Sequence, residues 1–109
     1  MKFANPYWSK AEKASMLQRW IAVHSFLYYE LNENVVSDRS FDDNCNQLVK
    51  LLDSMTEEEK KRTRLWYAFF DFEGSTGFHL SGRLTECDRE VVERDANFLL
   101  FLKKKKRKR

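Results

Sequence analysis

Two short groups of residues carry the side chains best suited to chemistry. His24, Tyr28 and Tyr29 form the first; Asp38, Phe41 and Asp42 form the second. On a helix, His24 and Tyr28 stand four residues apart and share a face, with Tyr29 next to it. Asp38, Phe41 and Asp42 fall at i, i+3 and i+4, which again is one face. A short turn between two such helices would bring aromatic rings against two carboxylates at a helix N-terminus. Rings stack on a flat ligand, and carboxylates accept hydrogen bonds from its amide and hydroxyl groups. Nucleophilic catalysis has no comparable set. Ser25 sits one residue off the His24 face, and Cys45 and Cys87 have no histidine at a telling spacing. The expectation is a binding module, not an enzyme.

Each of these residues also has a plainer explanation. A histidine on an apolar stripe is often a core residue, and Tyr28 and Phe41 suit the interior of a helical hairpin. Asp38 is accounted for as a first-turn acid facing the positive end of a helix dipole. Asp42 has the least structural excuse and is the most informative position of the six.

The elements that must hold these groups read as helices. Three Gly and one Pro in 109 residues leave long uninterrupted segments. Ser9 with Glu12 forms a capping box, followed by Leu17, Trp20, Ile21, His24, Leu27, Tyr28 and Leu31 at helical spacing. That helix should end in the polar turn Asn32-Glu33-Asn34. Ser37 then caps a second helix with the stripe Phe41, Cys45, Leu48, Leu52 and Met55. Thr56 with Glu59 starts a third; the aromatic run from Leu65 to Phe72 would also suit a buried strand, but helix is favoured because Glu57 to Arg64 feeds into it without a break. A short helical turn is expected from Phe78 through Leu84. Thr85 with Asp88 starts the last helix, whose stripe includes Val91, Val92, Phe98, Leu99 and Leu102. The fold class is therefore all-α: an antiparallel helical hairpin with one or two covering helices, in a small single domain over residues 1–102.

Charge is divided unevenly. Lys103, Lys104, Lys105, Lys106, Arg107, Lys108 and Arg109 are consecutive basic residues. They turn a body with 13 basic and 17 acidic residues into a chain of net charge +3. This segment reads as a disordered basic tail able to contact nucleic acid or another polyanion. No cysteine spacing suggests zinc or a disulfide framework, and Asp71 with Glu73 lacks a third metal ligand. Gly74-Ser75-Thr76-Gly77 lacks the Gly-Lys-Ser/Thr of a P-loop and reads as a turn. His79 reads as a surface histidine. No signal peptide is legible in MKFANPYW, and the longest apolar run, 96–102, is too short for a bilayer. The cytoplasm is the expected compartment, with no membrane partner.

The register of the two groups resembles a known family. His24-Ser25-Phe26-Leu27-Tyr28-Tyr29, followed by Ser37-Asp38-Arg39-Ser40-Phe41-Asp42, is similar to the small N-terminal helical domain of bacterial NAD-dependent DNA ligases. The pattern there is roughly H-x-Y-L-Y-H, a spacer, then P-D-x-x-Y-D. In those ligases the domain clamps the nicotinamide mononucleotide (NMN) half of NAD. By that resemblance Tyr28 matches the stacking tyrosine, and Asp38 and Asp42 the two binding aspartates. Tyr29 stands where the ligases have histidine, and Phe41 where they have tyrosine. The segment from Phe70 to Leu80 resembles one in short phage and prophage proteins that carry a stand-alone ligase-like helical domain. The lysine motif K-x-D-G of ligase adenylation occurs nowhere in the chain. The resemblance thus implies a phage-type binder of NMN, NAD or a related molecule, in the cytoplasm of a bacterium, without a required cofactor. Two alternatives stand beside it: a host-protein interaction factor that keeps the hairpin as scaffold, and a nucleic-acid binder driven by the tail.

Overall fold

A computed structural model describes residues 8–73 and 80–107, and all regular structure among them is helical. The order is α1 (Lys10–Tyr29), α2 (Asp38–Asp53), α3 (Glu57–Lys61), α4 (Trp66–Phe69), α5 (Leu80–Arg83) and α6 (Glu86–Arg107). The loop Gly74-Ser75-Thr76-Gly77 and His79 lie outside the described residues, as do Lys108 and Arg109. None of the described helices is long and apolar enough to cross a membrane.

The expected caps form. Ser9 accepts from the Glu12 N–H while the Glu12 carboxylate accepts from the Ser9 N–H, and Thr56 and Glu59 do the same for α3. Ser37 accepts from Ser40 N–H at the start of α2, and Thr85 accepts from Asp88 N–H at the start of α6. Past α1, Asn32 adopts φ 52°, a left-handed conformation that asparagine tolerates. The chain can then turn back, so that Glu33 N–H donates to Leu27 O at 2.9 Å.

α1 and α2 are antiparallel. Lys10 at the start of α1 donates to the carbonyl of Ser54, the residue that caps the end of α2, at 3.1 Å. At the opposite end, α1 meets the first turn of α2 around a shared pocket. α6 lies along α1 in the same direction. Successive tethers join Arg64 to Asp88, Arg19 to Asp95 and Lys103 to Glu33. α1 is therefore a central helix rather than one with a single apolar stripe. Seven consecutive residues, Ile21 to Leu27, are buried. The α2 stripe is as expected, with Cys45, Leu48, Leu52 and Met55 in the core and Phe41 half-buried.

Three expectations are corrected. The third helix does not run through to Phe72; it stops at Lys61 and resumes only as the four-residue α4. The break is held by α1. Gln18 Nε2 donates to Thr63 Oγ1 at 2.9 Å, and Gln18 Oε1 accepts from Leu65 N–H at 3.0 Å. Ser15 Oγ accepts from Arg64 N–H at 2.9 Å. Backbone groups freed by the break are thus satisfied by side chains, at no loss of burial for Leu65 and Phe69. Second, the buried positions of α6 are Val92 and Ala96, with Leu99 and Leu100 packed beside them, whereas Phe98 and Leu102 face outward. Third, the segment read as a disordered tail continues α6 as far as Arg107. Lys103 is one of its anchors, donating to Asn34 O at 2.6 Å and to Glu33 Oε1 at 3.2 Å. A run of lysines lacks apolar periodicity, but once the preceding turns are packed, helix propagation costs little.

Candidate functional site

All six residues of the two chemical groups line one pocket. It lies where α1 ends and α2 begins, and its volume is about 360 Å³. His24, Tyr28 and Tyr29 enter from α1; Asp38, Phe41 and Asp42 enter from α2. The connecting loop, including Glu33, Asn34 and Val35, supplies the remaining wall. Sequence spacing found the helical faces but not this wall, because loop residues have no periodicity to read. The short loop itself was the available signal, since eight residues from 30 to 37 must run past any cleft between the helix ends.

The pocket has an apolar floor and a polar mouth. Trp20 stacks between two of its contributors, with ring centroids 4.3 Å from His24 and 6.1 Å from Phe41. His24 is buried, at 7% exposure. Burial lowers its pKa to about 4, so the imidazole is neutral at pH 7. Among the described residues it forms no hydrogen bond. The tyrosines at the rim are open, Tyr28 at 47% and Tyr29 at 44%, and their rings meet edge-on at 4.7 Å. Asp38 and Asp42 are exposed, and neither has an ion-pair partner among the described residues. Glu33 is the third carboxylate at the mouth and is the one that Lys103 neutralises. The arrangement can take a flat ring against Tyr28 and hydrogen-bond donors on Asp38 and Asp42. A delocalised positive charge on that ring would be favoured twice, by the carboxylates and by the ring faces.

Of the basic residues read as polyanion contacts, Lys103 is used inside the fold, while Lys104 and Lys105 are exposed. Cys45 is buried on α2, three residues beyond Asp42. Burial, then the nearby Asp42 charge, pushes its thiol up to about 11, which leaves no thiolate at pH 7. Ser25 is buried, and its hydroxyl has no partner. Asp71 forms a two-point ion pair with Arg83, at 2.6 and 3.2 Å. That pairing accounts for Asp71 without a metal, and no cluster of metal-ligating side chains occurs among the described residues.

Comparison of the chain with protein families, with curated proteins and with solved structures finds no match.

Proposed function

We propose that this chain is a small phage-type binding protein whose pocket at the α1–α2 junction takes a nicotinamide nucleotide or a related NAD-derived molecule. Tyr28 stacks on the nicotinamide ring. Asp38 and Asp42 accept hydrogen bonds from its amide and ribose groups, while His24 and Phe41 supply the apolar floor. This reading asks only for binding, and the chain carries no K-x-D-G lysine for ligase adenylation. In the cytoplasm of an infected or lysogenic bacterium it would sequester or sense the nucleotide.

The observation that carries this reading is the convergence of four aromatic rings and two unpaired carboxylates on one open cavity of ligand size. The alternative, a hairpin kept only as scaffold for a protein partner, expects Tyr28 and Asp42 to lie beneath the last helix. Their exposure weighs against it.

Thermal unfolding of the purified protein with NMN, NAD, ADP-ribose and AMP tests the proposal, with Asp42→Ala run alongside. A ligand at a hundred times its dissociation constant adds about 2.7 kcal/mol to the stability of the state it binds. A rise with the nicotinamide nucleotides that disappears in Asp42→Ala is the expected result. No rise with any of the four at millimolar concentration would end the ligand reading.

A further inference from the structure

Among the described residues, the outer face of α6 carries three exposed large apolar side chains. Phe98 is 59% exposed, Phe101 58% and Leu102 39%. The face has an order. Cys87, Val91, Arg94, Phe98, Phe101 and Lys105 recur at alternating intervals of four and three residues, the spacing of a helix–helix seam. Its apolar centre is flanked by opposite charges. Glu86 and Glu90 lie toward the N-terminal end of α6, and Lys104 and Lys105 toward the C-terminal end; all four are exposed. None of the four has an ion-pair partner among the described residues.

We infer that α6 is the interface of a homodimer, in which it packs antiparallel against α6 of a second copy, with the two-fold axis near Phe98. Glu90 precedes Phe98 by eight residues and Lys105 follows it by seven. At about 1.5 Å per residue they stand at nearly equal distances on either side of the axis. An antiparallel partner therefore sets Lys105 of one copy beside Glu90 of the other, twice. Phe98 is also one wall of an apolar cleft of about 300 Å³ between α1 and α6, which Trp20, Val23, Leu99 and the paired Arg19 and Asp95 help to line. Desolvation of the aromatic centre around the axis stabilises the pair.

The charge pattern chooses this occupant over an anionic surface. A bilayer or nucleic acid laid along α6 would attract Lys104 and Lys105 but repel Glu86 and Glu90 on the same helix. A parallel pair is disfavoured too, because it sets lysine against lysine.

Sedimentation velocity of the full chain over a hundredfold concentration range tests the inference. The expected result is a species of twice the 13.1 kDa chain mass. Phe98→Glu should weaken association by at least about tenfold, since it puts two charges at the centre of the seam. Glu90→Lys should weaken it by a similar factor, and adding Lys105→Glu should restore it, because the double variant only exchanges the signs. Helical circular dichroism should be unchanged in all of them, because the altered side chains are exposed. A chain that stays monomeric across the range overturns the inference. So does association that Phe98→Glu leaves intact, or a double variant no tighter than Glu90→Lys alone.

Discussion

Gln18 and His24 stand six residues apart on the same helix, and both are buried polar side chains, at 0% and 7% exposure. The fold treats them in opposite ways. Gln18 uses both ends of its amide, donating to Thr63 and accepting from Leu65, and so holds the break between α3 and α4. His24 has only a ring contact with Trp20 and stays neutral because burial penalises its charged form. The middle of α1 commits its polar group to structure. His24 leaves polar capacity unused at the edge of a cavity, alongside two carboxylates that are also unpaired. A fully satisfied buried group marks a place that must not move. A ring at the wall of a cavity, with exposed carboxylates beside it, marks a place where something else can bind.

The largest effect should come from the satisfied residue, Gln18. Gln18→Leu keeps the volume but removes two buried hydrogen bonds and strands the Leu65 N–H. The expected cost is about 2–4 kcal/mol in urea unfolding. A cost below about 0.5 kcal/mol would mean that the α3–α4 break is held by something else.

His24 should show itself through pH. Its folded pKa, about 4, lies below the unfolded value of 6.5. The unfolded chain therefore binds the extra proton between these two values, and stability is full above pH 6.5 and falls as pH drops toward 4. The clefts bordering the ring admit solvent, so the expected loss is about 1–2 kcal/mol rather than the full linkage. His24→Leu should flatten this part of the profile. Identical slopes for the two proteins between pH 7 and 5 would show that the ring is not protected from protonation.

At the rim the comparison predicts a separation of binding from folding. Tyr28→Ala should weaken nicotinamide nucleotide binding by about tenfold or more, as stacking losses do, while changing stability by less than about 0.5 kcal/mol. Calorimetric titration beside a thermal melt reads both. A variant that binds normally removes the stacking role from Tyr28.

The smallest effect belongs to the tether between α6 and the pocket loop. Lys103→Ala removes a partly exposed ion pair and one hydrogen bond to Asn34 O, for an expected cost of about 0.5–1 kcal/mol. Amide hydrogen exchange in residues 33–36 should quicken more than elsewhere. Uniform exchange rates along the chain would show that the loop does not depend on Lys103.

How much of this was legible varies by element. Ser9, Ser37, Thr56 and Thr85 announced four helix starts, because a cap is a local hydrogen bond between residues three apart. The spacing of His24 with Tyr28, and of Asp38 with Asp42, marked the faces that meet at the pocket. The end of the third helix was not legible. Residues 57–72 contain no glycine or proline, and the groups that stabilise the break, Ser15 and Gln18, lie more than forty positions upstream. Phe98 and Leu102 misled for a related reason. An apolar side chain on a helix states that it wants a partner, not whether that partner belongs to the same copy of the chain.

By itself, then, the sequence determined what depends on neighbours in the chain: the helical class, the starts of the principal helices, and which side chains share a face. The tertiary structure alone decided that α1 is buried between α2 and α6, that the loop after α1 completes the pocket, and that Lys103 joins the fold instead of trailing from it. Caps and helical periodicity act over three to seven residues. The contacts of Lys103 with Glu33, and of Gln18 with Leu65, span 70 and 47 residues, and exist only once the core has brought those segments together.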